Sequence, residues 1–358
     1  MIISVISGKE LTEKHIQKWR EIQDSDPRLM SPYFCPEFTQ AVASIRNDVY
    51  VSVITEGDKI VGFFPFQKRR FGFGIPAGGR LSDIHGLIKE KDFEIDLKQL
   101  LKKSGLITYD FHAVPAWQKS FKSYIKESKI FYYIDLSHGY ENYASILLER
   151  KSKHLKEAAY KLRRLKKDYS EVEFHHFVSD ESIIDLLINW KSQQYQQSGL
   201  VDVLSFSWTK DLLYKIHKYR SDRFSGILSM LTVDAKPIAI HMGMCSFHSW
   251  NWWFPRHDPA YKKYSPGILL RLDAIKYAEK IGKKYVDLGC GDDSTYKPHL
   301  STNTEIFGSG SVVLPSLYTF ARKLFYNLAQ WIRDSAFYSI FKIPGRFIFK
   351  FIRRGQFD

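Results

Sequence analysis

"YSPGILLRLDAIKYAEKIGKKYVDLGCGDDSTYK" occupies residues 264–297, and its reading decides the fold. Ile268, Leu269, Leu272, Ile275 and Ala278 share one helical face, and Gly282 stands where a left-handed C-terminal residue belongs. The spacing predicts a helix over 268–281. Ser265 suits the N-cap, and Pro266 suits the first helical position, where its missing N–H costs nothing. Gly267 follows with no side chain. The first acid of the helix is Asp273, whereas Lys262 and Lys263 precede the cap and Arg271 follows it. Such an end offers N–H donors in positive surroundings, as a phosphate or diphosphate requires. The same triplet also makes an ordinary cap facing water. "KKYVDLGC" then reads as a short strand.

Upstream, "SWNWWFPRHD" (249–258) reads as a strand that feeds the loop before this helix. A strand, a turn and a helix N-terminus form the geometry for a cofactor diphosphate, with the rest of the cofactor along the strand edge. Two further stretches alternate, turn and alternate again: Val49–Arg70, turning at Glu56-Gly57-Asp58, and Ser225–Phe247, turning at Asp234-Ala235-Lys236. Both predict antiparallel hairpins, and their echo suggests a duplicated α/β domain. Helices are expected over Tyr143–Tyr169, as one long basic element, and over Asp180–Gln197. The stretch "FGFGIPAGGRLSDIHGLI" after the first hairpin shows no comparable helix.

The chain has 358 residues, which suits two domains. Apolar residues make up 44% and charged ones 26%, so it folds as a globular protein. Cys35, Cys245 and Cys290 are far apart and lack any C-x-x-C, which argues against disulfides and structural zinc and for a reducing, cytoplasmic setting. The N-terminal run has no basic n-region, so no signal peptide is expected, and no apolar run reaches the roughly 18 residues of a membrane span. The net charge of +14 is clustered. Residues 151–167 carry eight Lys/Arg against Glu157 alone, and the aromatic tail 317–358 carries eight against two acids. Such clusters draw anions: a phosphorylated cofactor, a nucleic acid or an acidic membrane.

The block Tyr264–Lys297, with Tyr-Ser-Pro-Gly, a helix, then Asp-Leu-Gly-x-Gly-Asp and Tyr-Lys, resembles the acetyltransferase family labelled CelD-like or cellulose-biosynthesis. That family lies within the GNAT superfamily and is related to the Fem transferases. Weaker similarity at Ala77–Asp83 and at the Pro-Ile-Ala hairpin extends the resemblance to about Val313. It implies α/β architecture with mixed sheets in tandem GNAT-like domains: residues 1–140 without a CoA site, 141–315 binding acyl-CoA, and a helical tail over 316–358. It implies acyl-CoA at splayed strands of the second domain, with Phe254, Arg256, Lys263, Tyr264, Ser265, Pro266, Gly267, Ile268 and Leu269 as contacts. The usual Arg/Gln-x-x-Gly-x-Gly/Ala loop of the superfamily is absent, so the phosphate contacts rest on analogy.

Acyl transfer to an amine needs a base, a polarised carbonyl and a departing thiolate. Asp83, His85, His241 and Asp287 are the candidate bases. Each also has a structural reading: a turn at Asp83 and His85, a satisfied core histidine at His241, backbone hydrogen bonds at Asp287. Asp292, Tyr296 and Lys297 follow the last strand, where ligands sit in α/β sheets. Trp190, Lys191, Gln194 and Tyr195 share a helix, and Lys191 and Tyr195 share a face suited to a nucleotide base and its diphosphate. Trp190 equally suits a core. Trp252 joins this substrate set. Cys290 has no activating partner and reads as a packing residue. The expected activity is N-acylation, by acyl-CoA and without a metal, of a nucleotide-linked amino sugar, a dTDP-linked one fitting best, in surface-polysaccharide synthesis. A Fem-like transferase using aminoacyl-tRNA and a membrane-surface protein are the alternatives. Nucleic acid is not expected as a partner under the main reading, while a homo-oligomer and a tail–membrane contact stay open.

Overall fold

The computed structural model describes residues 1–291, 296–320 and 324. Asp292 and most of the tail expected over 316–358 lie outside them. Along the chain run β1 (Ile2–Ser7), α1 (Glu13–Ser25), α2 (Pro36–Ile45), β2 (Val49–Glu56), β3 (Lys59–Lys68), β4 (Phe73–Pro76), β5 (Ile88–Lys89), α3 (Leu97–Lys103), β6 (Thr108–Pro115) and β7 (Ile125–Asp135). Then follow α4 (Gly139–Glu149), α5 (His154–Asp168), β8 (Val172–His175), α6 (Ser182–Ser198), α7 (Ser207–His217), β9 (Phe224–Val233), β10 (Lys236–Ser246), β11 (Ser249–His257), α8 (Pro266–Lys280), β12 (Tyr285–Gly291), α9 (Lys297–Leu300) and β13 (Asn303–Val313).

Both expected hairpins form, β2–β3 and β9–β10. Asp234 and Ala235 take positive φ, the geometry of a tight hairpin turn that matches strand twist. The basic stretch expected as one helix is two. Lys151 adopts φ +54 between α4 and α5, which breaks the helical path. The stretch 71–88 holds no α-helix, as expected, and the short helix α3 stands further on, between β4 and β6. It spans seven residues, and its apolar spacing is too short to register as a period.

The strands form one mixed sheet in the order β1-β2-β3-β4-β6-β13-β7-β12-β11-β10-β9-β8, with β5 on β3. The two ends mirror each other, and each half takes its innermost strand from the other: β13 pairs with β6, and β7 pairs with β12. Because β7 and β13 also pair with each other, backbone hydrogen bonds run unbroken across the middle. A division near residue 140 therefore cuts the chain but not the sheet. One face is covered by α1, α2, α6 and α7 over a shared core that includes Trp19, Phe38, Phe63, Leu187 and Leu212. The other carries α4, α5 and α8 over Tyr143, Trp250, Ile275 and Val286, and α3 over Phe66, Leu100 and Tyr109. Strands covered on both faces are buried almost continuously, as β9 is, and so lose the simple alternation of a half-exposed strand.

Candidate active site

The site begins where two neighbouring parallel strands part. β11 and β12 pair only over Ser249–Asn251 and Tyr285–Asp287. Beyond that point each strand carries an irregularity. On β11 the register against β10 slips at Trp252–Trp253, so two residues face Gly243 alone. A β-carbon at Gly243 would lie 2.2 Å from the Asn251 carbonyl oxygen, so only glycine admits this bulge. On β12 the register slips at Leu288, and Gly289 sits at φ +79, a conformation costly for any other residue. The strands splay, and the notch between them opens into a cavity of about 310 Å³.

The cavity is lined by Trp252, Trp253 and Pro255 of β11, by Leu288, Gly289 and Cys290 of β12, and by Tyr296 and Lys297 beyond it. Its other wall comes from the first half: Asp83, His112 and Ala113, with Lys129 of β7. Four residues singled out in the sequence thus meet here: Asp83, Trp252, Tyr296 and Lys297. His112, Lys129 and Trp253 gave no sequence signal, because strand exchange and a bulge bring them in.

Asp83 is the group best placed for proton transfer. Burial pushes its carboxyl up to about 6, partly offset by the Lys297 charge. Lys297 itself donates to the Cys290 carbonyl, which fixes the ammonium in the notch. The Tyr33 hydroxyl lies 3.4 Å from both Asp83 Oδ2 and Asn251 Oδ1, so its one proton can go to either. Tyr33 belongs to the segment Ser31–Phe34 of the first half, which docks on β10 and β11. Its neighbour Ser31 donates to Asp287 Oδ2 at 3.5 Å. Asp287 is buried, and its carboxyl is pushed up to about 7 by that burial, with the Glu305 and Asp83 charges adding to the rise. It is a neighbour of the cavity rather than part of its wall.

The two histidines singled out in the sequence are not free bases. His85 is buried with both ring nitrogens in use: Nε2 accepts from the backbone N–H groups of His112 and Ala113, and Nδ1 faces the Ser82 carbonyl at 3.3 Å. Burial holds its pKa well below the usual histidine value. His241 lies flat on Trp252, ring centroids 3.6 Å apart, on the side away from the cavity and with no solvent access. Burial, and then the Arg271 charge, depress its pKa. Alternation along β10 had pointed it away from Ile240 and Met242, but that opposite face is covered by α8. Cys290 does line the cavity. Burial and the Asp83 charge raise its thiol to about 11, so it is a thiol and not a thiolate at neutral pH.

At the donor end, α8 begins at Pro266 with no acid in its first turn. Ser265 holds the N-cap position in a left-handed conformation and caps no N–H; its hydroxyl instead accepts from Lys161 of α5 at 2.8 Å. The basic helix thereby delivers a cation to the helix start beside Lys262 and Lys263. A β-carbon at Gly267 would meet only His257 Nδ1, at an ordinary 3.5 Å, so the chain itself leaves that approach open. Several expected contacts point elsewhere. Tyr264 is buried, with its hydroxyl bonded to Asp168, and Pro266 and Leu269 are buried too. They set the helix start rather than face a ligand. Ile268 is half-buried against the same core.

On α6, Trp190 packs into the core between the helices. Lys191 is buried, donates to Gln194 at 3.1 Å and lies 5.0 Å from the Tyr195 ring and 6.0 Å from that of Phe254. Burial, with Arg256 adding like charge, lowers Lys191 to about 8. None of these residues lines the cavity. Among the described residues no group of histidine, cysteine and carboxylate side chains could hold a metal ion.

Residues 152–298 match the profile of the acetyltransferase (GNAT) domain. No curated protein matches the chain. Among solved structures, FemX superimposes with a TM-score of 0.59 at 9% identity, covering 90% of this chain and 99% of its own. The C-terminal domain of a protein named as a lysylphosphatidylglycerol synthetase, from Agrobacterium fabrum, gives 0.52 at 12% identity over 88% and 96%. A protein of unknown function from Bacteroides thetaiotaomicron gives 0.52 at 12% identity over 88% and 100%. The notch between β11 and β12 and the acid-free start of α8 lie within the matched residues or border them. Residues 152–298 therefore match a GNAT acetyltransferase domain, the chain as a whole is a mixed α/β structure with a fold like that of FemX, and the domain match implies acyl-CoA as co-substrate.

Proposed function

We propose that the protein transfers an acyl group from acyl-CoA to an amine bound in the cleft between its two halves. The observation that carries this reading is the splayed β11–β12 pair, whose notch is faced by Asp83, together with the acid-free start of α8 that follows β11 in the chain. In this reading Lys161, Lys262 and Lys263 hold the diphosphate, and the acyl thioester lies in the notch. Asp83 takes the proton from the acceptor amine. The amine nitrogen then bonds to the carbonyl carbon, the C–S bond breaks, and the second proton shed by the nitrogen passes through the Tyr296 hydroxyl to the thiolate leaving beside the Lys297 ammonium. No acyl-enzyme forms, because Cys290 stays protonated. The two halves are tandem GNAT-like units, the first of which holds no CoA.

The acceptor read from the sequence is a nucleotide-linked amino sugar, with Lys191 and Tyr195 near its base and diphosphate. A second reading is favoured by the basic surface of α5, where Lys156, Arg163, Arg164, Lys166 and Lys167 are exposed at the donor end. It is a Fem-like transfer in which the donor is an aminoacyl-tRNA, in keeping with the similarity to FemX. Isothermal titration calorimetry with CoA, beside salt-dependent retention of tRNA, separates the two. CoA binding with thiol release in the presence of amino-sugar nucleotides supports the first. Absence of CoA binding with retention of aminoacyl-tRNA overturns it in favour of the second.

A further inference from the structure

One group of exposed apolar residues lies just beyond β13, beside the β3–β4 turn. After β13 the chain passes Pro315, and residues 317–320 and 324 are helical. Ser316 and Thr319 cap that start reciprocally: the Thr319 N–H donates to Ser316 Oγ at 3.1 Å, and the Ser316 N–H donates to Thr319 Oγ1 at 2.9 Å. Thr319 faces inward, and Leu317, Phe320 and Leu324, at i, i+3 and i+7, face out. They are 91%, 63% and 54% exposed. Phe71, 67% exposed at the tip of the β3–β4 turn, stacks on Tyr318 with centroids 5.0 Å apart and joins the same surface. Its backbone sits at φ +58, an unfavourable conformation that holds the ring outward.

Basic side chains border this apolar patch. Lys68 and Arg70 flank Phe71, and Lys102 and Lys103 end α3; all four are exposed. The turn segments adjoin, since a β-carbon on Gly72 would touch Gly105 and one on Gly105 would touch Lys68 Nζ. No acid occurs in residues 68–74, 101–107 or 314–324. The sequence then continues through residues 325–358 with six Lys/Arg against two acids. A second copy of this face would bring cations against cations. A large apolar surface bordered by lysine and arginine is instead complementary to an anionic bilayer, into whose headgroup layer Leu317, Phe320 and Phe71 would insert. Among the described residues no helix is long and apolar enough to cross a membrane.

We propose that this face seats the protein on an anionic lipid surface. The test is co-sedimentation of the full chain with vesicles of phosphatidylcholine alone and of phosphatidylcholine with phosphatidylglycerol. Binding is expected to the second and not the first, and to weaken as salt rises. The pair Lys102→Glu, Lys103→Glu and the pair Leu317→Ser, Phe320→Ser should each lower the partition coefficient roughly tenfold or more, with melting temperature and cleft activity unchanged. Failure of the folded chain to bind phosphatidylglycerol vesicles overturns the proposal. So does binding that neither pair weakens, or sedimentation velocity showing that Leu317→Ser, Phe320→Ser dissolves a dimer.

Discussion

Two short parallel pairings sit at equivalent places in the two halves of the sheet: β4 with β6, and β11 with β12. Each is preceded by a hairpin, and each has a helix in its crossover. In the first half the space beyond the pairing is filled. The chain from Ala77 to Leu87 folds into it, the His85 ring takes the free N–H groups of β6, and Gln118 receives the Leu87 N–H. In the second half nothing equivalent enters among the described residues, and the gap is the cavity. The helices differ in the same sense. Asp96 caps α3 and accepts from the Gln99 N–H, so that helix start already holds its own anion. The α8 start has no acid and three lysines nearby. One framework gives a self-satisfied half and an open half, and the difference lies in a few side chains rather than in topology.

The largest effect should come from the group on the border of the two halves. Asp83→Asn keeps the volume and removes the base, so acceptor kcat/KM should fall about a hundredfold or more, equivalent to roughly 3 kcal/mol, while CoA affinity is unchanged by calorimetry. The ionised carboxylate is the active form, so the native rate should climb as pH rises through about 6 and level off above it, and the variant should lose that limb. Untouched acceptor kinetics would make Asp83 scaffold.

The plug of the closed half should respond in stability and not in pH profile. His85→Ala orphans two buried backbone N–H groups, and chemical denaturation should show a loss of about 2–4 kcal/mol. A shift in the pH–rate profile instead would restore His85 as a proton carrier and erase the contrast drawn here. The buried carboxyl of the open half has the opposite signature. Asp287 binds its proton more tightly folded than unfolded, so native stability should decline as pH rises from about 4 through about 7. Asp287→Asn should flatten that slope, by on the order of 2 kcal/mol between its ends. Parallel curves for the two proteins would count against the raised pKa.

Moving an acid to the open helix start tests the donor end. Gly267→Asp has room for its β-carbon, so the fold should hold while CoA binding weakens at least about tenfold, or 1.4 kcal/mol. Unchanged affinity in a folded variant would remove the diphosphate from that position. Smallest of all, Cys290→Ala should keep activity within about twofold, and two-substrate initial-rate plots should intersect. Parallel plots, or added mass on the protein after acyl-CoA alone, would reveal a covalent intermediate.

Local physics made much of this chain legible. The hairpins follow from alternation and turn residues, and α8 from its periodic face with Pro266 and Gly282 at its ends and no acid before Asp273. These features depend on neighbours within a few residues, and sequence order preserves them. What residues far apart do to one another was not legible. Alternation turned His241 toward a face that α8 covers, and the motif gave Tyr264 a ligand when its partner is Asp168. Asp83 and His85, two residues apart, have surroundings that their spacing did not foretell: an open notch with Lys297 for one, the backbone of β6 for the other. The exchange of β7 and β13 decided that Lys129 and His112 stand across from Trp253 and Lys297, because strand pairing satisfies backbone hydrogen bonds without regard to distance along the chain.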